Sequence, residues 1–361
     1  MKKLIQTVFA VAAITIMFAS CSQNIEPPVQ PAQSSEPSST QPSPELSTEE
    51  KVAQLFMVRC DSENMDSILD KQPGGIVMFA VDFDGLNTDE VRDKINDFKS
   101  ACDIEPIISV DEEGGTVVRV SSNPLLAEHK YESPQYYYKQ GGMDEVNANT
   151  AEKSKLLSSL GITMNLAPVV DVSTNPDDFI YDRSLGENAQ TTADFAAQTV
   201  KTMSENGILS CLKHFPGYGG NVDTHTGIAV DERPLENFRE NDFLPFESGI
   251  QAGADAVLVS HNIMTAVDPS VPSSISAPVH DILREELGFD GLVITDDMSM
   301  AAMAEYEEPY KKAVLAGNDM MIVTDFETAY NEVLSAVNNG EISQDILDTA
   351  VERILDKKSQ L

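Results

Sequence analysis

The chain has 361 residues, with 59 Asp or Glu against 24 Lys or Arg, so its formal net charge at pH 7 is -35. A protein this acidic is repelled by the phosphates of nucleic acid and by anionic lipid surfaces, which excludes both as expected binding partners. Most of the acidic side chains are expected on a solvated face.

The first 21 residues have the pattern of a secretion signal and not of a folded segment. Two lysines follow the first methionine, an apolar run covers Val8–Phe18, and Cys21 comes directly after Ala19-Ser20. This order is typical of a bacterial secretory signal, and the cysteine after small residues resembles the lipobox of bacterial lipoproteins. The resemblance implies cleavage before Cys21 and acylation of Cys21, although Phe18 stands where leucine is usual. An ordinary cleaved signal with an incidental cysteine is the alternative.

Residues 22–45 are expected to form a disordered Pro/Ser-rich tether. They contain almost no large apolar side chains, so they cannot bury enough surface to fold. The apolar run before Cys21 is too short to span a bilayer, so the protein is expected outside the cytoplasm, attached to the membrane through a lipid anchor only. The remaining residues, 46–361, have the length of one large α/β domain.

Eight short apolar runs predict β-strands, and stretches with helical periodicity lie between them. Alternating β and α units with near-continuous apolar strands indicate a parallel sheet. Eight such units predict a (β/α)8 TIM barrel that forms a single catalytic domain, and a degenerate barrel with one reversed strand is the alternative. The predicted strands are Leu55–Val58, Gly75–Phe79, Pro106–Val110, Ile162–Val170, Ile208–Leu212, Ala256–Ser260, Leu292–Thr295 and Met320–Val323.

Several of the helical stretches end at a glycine, which is a common stop signal. Gly161, Gly207 and Gly288 follow three of them. A final amphipathic helix, with apolar residues at helical spacing between Ile342 and Leu355, is expected to cover the outside of the barrel. The clearest predicted helices are Thr88–Ala101, Asn147–Leu160, Ala189–Asn206 and Val279–Leu287.

Ionisable residues follow four of the predicted strands. The third strand runs into Asp111, the fifth into Lys213-His214, the sixth into His261 and the seventh into Asp296-Asp297. In a barrel the loops after the strands form one mouth, so these residues are expected around one pocket. The alternative is a set of turns with solvated polar residues, because Gly, Pro, Asn and Asp favour turns.

Three further cysteines are Cys60, Cys102 and Cys211. An odd number at irregular spacing predicts neither a disulfide framework nor a zinc site. Cys211 lies inside the fifth predicted strand, where its thiol is expected to pack as a small hydrophobic group.

The polar motifs occur in a combination that resembles family 3 glycoside hydrolases. Within that family the chain is similar to the single-domain β-N-acetylhexosaminidases (β-N-acetylglucosaminidases) that act on cell-wall fragments. The match runs from about Leu46 to near the C-terminus with the motifs in family order. The motifs are D-E-E-G-G-x-x-x-R from Asp111 to Arg119, N-x-A-P-V-x-D-V from Asn165 to Val172, D-R-S from Asp182 to Ser184, K-H-F-P-G-x-G…D-x-H from Lys213 to His225, and T-D-D-M-S-M from Thr295 to Met300.

The resemblance implies a retaining hydrolysis with Asp296 as the carboxylate nucleophile and His225, assisted by Asp223, as the acid/base. Retaining chemistry needs a nucleophile and a proton donor on opposite faces of the sugar, and histidine titrates near neutral pH without help. Asp297 is the rival nucleophile. Because consecutive residues leaving a strand point opposite ways, only one of the two is expected to face the sugar.

The loop departs from the common form of the family at two places. Tyr218 stands where histidine is frequent, and Gly220-Asn221 stands where Asp-Thr is frequent. Neither change touches the implied dyad, although loop closure could differ.

Substrate contacts implied by the resemblance are Asp111, Arg119, Arg183, Lys213 and His214. Carboxylates accept hydrogen bonds from sugar hydroxyls, while Arg and Lys donate to hydroxyls or to an acetamide oxygen. A surface ion pair is the alternative for the two arginines. Asp171 and His261 are expected to brace the barrel mouth. A small β-N-acetylglucosaminide or muropeptide substrate, no cofactor, no metal and a monomeric state are expected.

Three other functions compete with a glycosidase of this kind. A metal-dependent hydrolase would use His214, Asp223, His225 and Asp296 as ligands, although no helical HExxH pair supports it. A non-catalytic sugar-binding lipoprotein would need neither the dyad nor Asp296. β-Glucosidase-type or phosphorylase activity could occupy the same scaffold, because a neutral histidine repels an incoming phosphate less than a carboxylate does.

Overall fold

The computed structural model describes residues 46–60, 64–220 and 227–361. Ten strands are present in these ranges. Eight of them form the main sheet, and β6 pairs with β8 in a small separate ribbon. The strands are β1 (Phe56–Arg59), β2 (Gly75–Met78), β3 (Ile107–Val110), β4 (Met164–Asn165), β5 (Leu209–Phe215), β6 (Val230–Asp231), β7 (Ala256–Val259), β8 (Ile263–Met264), β9 (Leu292–Thr295) and β10 (Met321–Val323).

The main sheet is a barrel of parallel strands. Its neighbours follow the order β10-β1-β2-β3-β4-β5-β7-β9, and all of the paired strands run parallel. A parallel bridge between Ile294 of β9 and Met320, next to β10, joins the two ends of the sheet. The predicted (β/α)8 TIM barrel is confirmed, and the alternative with a reversed strand is wrong.

Two predicted strands differ from the structure at the mouth of the barrel. The prediction of one strand over Ile162–Val170 is wrong, because only Met164–Asn165 is regular. Pro168 lacks a backbone N–H, so the segment is held instead by bonds such as Cys211 N–H to the Ala167 carbonyl, at 2.8 Å. In contrast, β5 extends three residues past the predicted end, which places Lys213 and His214 inside the strand.

Eleven helices lie in the described ranges, and most of them surround the barrel. Short π-helical turns over Phe238–Asp242 and Ile282–Glu286 continue α6 and α8. The helices are α1 (Thr48–Gln54), α2 (Met65–Leu69), α3 (Thr88–Ser100), α4 (Pro134–Ser159), α5 (Ala189–Glu205), α6 (Leu235–Asn237), α7 (Phe243–Gln251), α8 (Ala277–Asp281), α9 (Pro309–Ala316), α10 (Phe326–Asn338) and α11 (Gln344–Lys358).

Helix ends agree with their sequence signals better than helix lengths do. Asn87 caps α3 by accepting hydrogen bonds from the N–H groups of the first turn. Gly161 and Gly207 follow α4 and α5 with φ angles of 90° and 72°, a conformation that favours glycine. However, α4 begins well before the predicted residue 147, because the chain bends at Gly141-Gly142 and a second helical stretch precedes the bend.

The last helix covers the barrel, as its periodicity predicts. Leu347, Ala350, Val351 and Ile354 are buried against the core, whereas Ile346 is 37% exposed. Salt bridges from α11 to residues just before β7 and β10 add to this packing.

Aromatic packing fixes the strand that carries the central site residues. Phe215, at the end of β5, stacks on Phe243 with ring centroids 5.5 Å apart and meets the edge of Phe246 at 5.2 Å. Both partners lie on α7 and are buried. Such pairs contribute about 0.5–1.5 kcal/mol each beyond their buried area. The end of β5 is therefore held firmly beside Lys213 and His214.

No helix in the described ranges is both long and apolar enough to cross a bilayer. The predicted signal, the tether and the lipidated Cys21 lie outside the described residues, so these expectations stay predictions.

Candidate active site

A pocket at the carboxyl ends of the barrel strands brings together the described residues of the predicted site. Its empty space is about 650 Å³, counted with the open solvent at its entrance. Asp223 and His225 lie outside the described residues. Six predicted residues line the pocket, namely Asp111, Arg119, Arg183, Lys213, His214 and Asp296.

Lys213 is a buried cation between two carboxylates. Its Nζ lies 2.6 Å from Asp111 Oδ1 and 2.6 Å from Glu113 Oε1, and its side chain is only 2% exposed. Burial alone would lower the pKa of Lys213, but the two carboxylates outweigh burial and raise its pKa above the ordinary value. Lys213 is therefore charged, and its ammonium group is held in place in the pocket wall.

Arg183 also binds the Glu113 carboxylate that pairs with Lys213. Its Nε and Nη2 donate to Glu113 Oε2 at 2.9 Å and Oε1 at 2.7 Å, a bidentate geometry. Burial would raise the pKa of Glu113, but Arg183 and Lys213 together hold it well below its usual range. The alternative of a surface ion pair is wrong for Arg183, because this pair is buried.

Glu113 is a site residue that sequence analysis missed. It lines the pocket and joins two of the predicted residues, Arg183 and Lys213. Its place as the third acid of D-E-E-G-G, directly before two glycines, was the available signal. Lys153 supports the same segment from α4, since its Nζ donates to the Glu113 carbonyl at 2.7 Å.

His214 is held in one orientation by hydrogen bonds at both ring nitrogens. Nδ1 lies 2.7 Å from Asp171 Oδ2, and Nε2 lies 3.1 Å from Arg183 Nη2. Because a guanidinium can only donate, Nε2 accepts the hydrogen bond from Arg183. The ring proton is therefore on Nδ1, which donates a hydrogen bond to Asp171. Asp171 also accepts the backbone N–H of Tyr218, so it braces the mouth as the sequence predicts.

Tyr218, one of the departures from the common family loop, packs inside the site. It is 1% exposed, and its ring meets the His214 ring edge-on at 5.2 Å. The residue therefore supports His214 through ring packing as well as through its backbone bond to Asp171.

Arg119 reaches the pocket because the chain folds back after β3. The buried carboxylate of Glu112 accepts the backbone N–H groups of Arg119 and Val120 at 2.7 Å each, and that of Ser121 at 3.2 Å. Gly114 has φ 107°, and a Cβ there would overlap a neighbouring backbone carbonyl. The motif D-E-E-G-G-x-x-x-R therefore corresponds to one loop, which Glu112 closes by binding the backbone of residues 119–121.

The Arg119 side chain forms part of the pocket wall. Its Nη2 lies 3.9 Å from Asp111 Oδ2, a long ion pair, and the side chain is 23% exposed. Its buried Nε has no hydrogen-bond partner within the described part of the chain. A ligand acceptor is the natural partner for such a donor, because a buried unpaired donor is costly.

Asp296 stands immediately after β9. Its N–H donates to the Val259 carbonyl at 2.9 Å, and its Oδ1 accepts the N–H of Asp297 at 2.9 Å. Both aspartates line the pocket, and the preference for Asp296 as the nucleophile stays a prediction.

Asp297 makes hydrogen bonds within the turn that follows β9. Its Oδ1 accepts the N–H of Ser299 at 2.9 Å, and its carbonyl lies 3.0 Å from His261 Nε2. Nδ1 of His261 lies 2.7 Å from Ser274 Oγ. His261 therefore braces this turn, as expected from the sequence.

Gly217 and Gly219, which precede Asp223 and His225 in the sequence, pack against an ion-pair cluster. Arg233 binds Asp242 through Nη1 at 2.8 Å and Asp231 through Nη2 at 2.8 Å. A Cβ on Gly217 would overlap the Asp242 carboxylate, and one on Gly219 would come within 2.6 Å of the Arg233 guanidinium. Positions 217 and 219 therefore favour glycine while Asp242 and Arg233 keep these positions.

Neither cysteine chemistry nor a metal centre is apparent in the ranges that the structure covers. Burial raises the pKa of Cys211 to about 12, so its thiol stays protonated inside β5. No group of three or more His, Cys, Asp or Glu is arranged to hold a metal ion there. The metal-hydrolase alternative also requires Asp223 and His225, so it stays untested.

Known proteins share this fold and sequence. Residues 47–356 match the Glycosyl hydrolase family 3 N terminal domain. The chain is 34% identical over 233 residues to a beta-hexosaminidase from Stenotrophomonas maltophilia, covering 63% of this chain and 68% of that protein. It is 28% identical over 322 residues to beta-hexosaminidase A from Pseudoalteromonas piscicida, covering 80% of this chain and 53% of that protein.

A solved structure of a glycoside hydrolase family 3 beta-N-acetylglucosaminidase from Paenibacillus sp. str. FPU-7 is also similar, with a TM-score of 0.82 and 28% identity. The match covers 88% of this chain and 63% of that chain. This chain therefore spans only about half to two thirds of the length of these relatives. Because the family match covers most of the sequence, the resemblance is confirmed, and the chain belongs to glycosyl hydrolase family 3, a family of glycoside hydrolases.

Proposed function

We propose that the chain is a retaining exo-β-N-acetylhexosaminidase that removes terminal β-linked N-acetylglucosamine. One observation carries the proposal, namely that Asp296 stands at a strand end in the same pocket as Asp111 and Lys213. The Asp296 carboxylate can attack a sugar bound there, and its neighbours offer acceptors and donors to hydroxyl and acetamide groups. Similarity to proteins named as beta-hexosaminidases supports N-acetylhexosamine as the sugar.

In the proposed reaction a carboxylate oxygen of Asp296 forms a bond to the anomeric carbon as the glycosidic C–O bond breaks. His225 donates its proton to the departing oxygen. In the second step neutral His225 takes a proton from water, which attacks the anomeric carbon and releases Asp296. Asp223 stabilises the charged imidazole that is present before the first step and forms again in the second. Both members of this dyad are assigned from the sequence.

The rest of the pocket contributes preorganisation. Lys213 is already paired with Asp111 and Glu113, and Arg183 with Glu113, so neither needs to reorganise when a sugar binds. The carboxylate of Asp111 can therefore accept sugar hydroxyls from a fixed position. His214, which is hydrogen-bonded at both ring nitrogens, also lines the pocket in a fixed orientation.

Peptidoglycan fragments are the proposed natural substrates, and a lipid-anchored monomer outside the cytoplasm is the proposed form of the protein. The support is the signal-like N-terminus with Cys21 and the resemblance to enzymes that act on cell-wall fragments. A lipid anchor would keep such an enzyme close to newly released wall fragments.

Release of nitrophenol from 4-nitrophenyl N-acetyl-β-glucosaminide in the presence of EDTA tests the activity. The proposed enzyme hydrolyses this substrate and releases the β-anomer first, as followed by NMR. Loss of activity in EDTA would instead favour a metal-dependent hydrolase, and binding without turnover would favour a sugar-binding protein. A preference for the glucoside, or sugar 1-phosphate formed with millimolar phosphate, would favour a β-glucosidase or a phosphorylase.

A further inference from the structure

The buried face of α4 is polar, although the helix packs against the barrel. A helix in this position normally presents apolar side chains to the core at helical spacing. Here only the two ends of the buried face, Val146 and Leu157, are apolar. The buried positions between them carry an amide, two hydroxyls and an ammonium group, and buried groups of this kind need polar partners. These residues are Asn149, Thr150, Lys153 and Ser154.

Lys153 brings a positive charge into this face. The residue is 7% exposed, and no carboxylate oxygen of the described residues lies within ion-pair distance of its Nζ. Burial lowers the pKa of Lys153 to about 8, against the opposing charges of Glu112 and Glu113, so the ammonium form predominates at pH 7. Its hydrogen bond to the Glu113 carbonyl, at 2.7 Å, uses one of its three N–H donors. A buried ammonium group without a counter-charge in contact is destabilising.

Lys153 lines a cavity between α4 and α5. Glu113 and Arg183 form part of its wall, and both also line the sugar pocket. Most of the other lining side chains are apolar. The cavity has room for about one particle the size of a water molecule. A small polar species could therefore sit in this cavity, next to the residues that shape the sugar pocket.

Two further hydrogen-bonding groups of the cavity wall lack partners. Asn149 Nδ2 and Thr199 Oγ1 are buried and make no hydrogen bond within the described part of the chain. Asn149 precedes Lys153 by one helical turn, so the two side chains share a side of α4, and Thr199 lines the same cavity from α5. An amide N–H, a hydroxyl and an ammonium group can all donate, and the ammonium group also carries charge. Their common partner is an acceptor with a negative charge.

We propose that this cavity binds a monovalent inorganic anion, chloride, as the counter-ion of Lys153. A chloride ion is only slightly larger than a water molecule, and it accepts hydrogen bonds from several directions. Water fits the three groups less well, since it brings no charge to the ammonium group. The bound ion holds the ammonium group that supports the Glu113 carbonyl, so it stabilises the loop after β3 from behind the sugar pocket.

Thermal unfolding in sodium chloride and in sodium gluconate of equal ionic strength tests the site, because gluconate is too large for the cavity. An anion that binds only the folded chain should raise the melting temperature of the wild type in chloride relative to gluconate. Lys153→Met should lose this difference. Lys155→Met, which removes the same charge from an exposed position of the same helix, should keep it. Equal differences in the wild type and in Lys153→Met would overturn the proposal.

Thr199→Val keeps Lys153 and the approximate shape of the cavity, so it serves if Lys153→Met does not fold. Loss of one hydrogen bond to the ion should raise the chloride concentration that gives half of the effect roughly fivefold. An unchanged concentration would contradict the role of Thr199 as a ligand and, with it, the site.

Crystals of the protein grown in sodium bromide locate the ion directly. An anomalous peak is expected in the cavity, within hydrogen-bond distance of Lys153 Nζ and Asn149 Nδ2. A cavity that holds only water under these conditions would overturn the proposal. None of these measurements uses a sugar substrate, so their outcome is independent of the proposed function.

Discussion

Arg183 and Glu113 form two parallel hydrogen bonds of 2.9 and 2.7 Å in a site where both side chains are largely buried. The pair joins the loop after β3 to the loop after β4 across 70 positions of sequence. A lysine could not reproduce it, because only the guanidinium presents two donors in one plane. The same guanidinium reaches His214, so one side chain sets the geometry of three segments of the mouth.

Glu113→Gln should lower the free energy of unfolding by about 3–5 kcal/mol at pH 7, because Arg183 and Lys213 would keep buried charges without their shared carboxylate. The pKa of Glu113 is well below its ordinary value of 4.5, so this contribution is present above that pH and is lost as the pH falls below it. Urea denaturation measures the change. Glu286→Gln, which breaks an exposed pair with Arg239, should cost less than about 1 kcal/mol, and equal costs would contradict the prediction.

Asp296→Ala should lower kcat by several orders of magnitude, because the covalent route through a glycosyl-enzyme is lost. A 2-fluoro sugar inactivator followed by peptide mass spectrometry should place the label on Asp296. Because Asp297 lines the same pocket, it is the alternative site for the label. A label found there would reverse the assignment.

His225→Ala should slow the cleavage of natural disaccharides far more than that of nitrophenyl substrates, whose leaving group departs without protonation. Azide, which needs no general base, should then restore the second step. Asp223→Asn should move the acidic limb of the pH–rate profile to lower pH, since loss of the carboxylate lowers the pKa of His225. If His225→Ala cleaves natural disaccharides at the wild-type rate, the proton comes from another group, with Glu232 as the first candidate.

Lys153 should make stability depend on pH in the alkaline range. Burial lowers its pKa from 10.5 to about 8, against the opposing effect of nearby Glu112 and Glu113. Between these two values the unfolded chain binds more protons than the folded chain, so the contribution of Lys153 to stability rises with pH. The melting temperature of the wild type relative to Lys153→Met should therefore increase from pH 8 to pH 10.5. Lys155→Met, at an exposed position of the same helix, should keep the wild-type pH dependence.

Cys21→Ala should release the protein from the membrane or leave its signal uncleaved, because the acylated residue would be absent. Detergent partitioning and mass spectrometry of the mature N-terminus measure both outcomes. A processed Cys21→Ala protein that still requires detergent for extraction would contradict lipidation. Cys102→Ala provides the control, since this cysteine is buried in the barrel domain and should not affect anchoring.

The barrel is predictable from the sequence because strands buried on both faces are short continuous apolar runs, as in β7 and β9. The grouping of Asp111 and Asp296 at one mouth follows from that topology. Glu113 could not be assigned the same way, because its burial and its pairing with Arg183 depend on contacts far apart in sequence. The start of α4 was missed for a local reason, since paired glycines interrupt the helical pattern at residues 141–142.

The glycines at positions 217 and 219 have a consequence for protein engineering. Gly217 and Gly219 lie so close to Asp242 and Arg233 that neither tolerates a side chain while that ion pair is in place. A chimera that replaces this segment therefore has to keep glycine at positions 217 and 219, or to change Asp242 and Arg233 together with it.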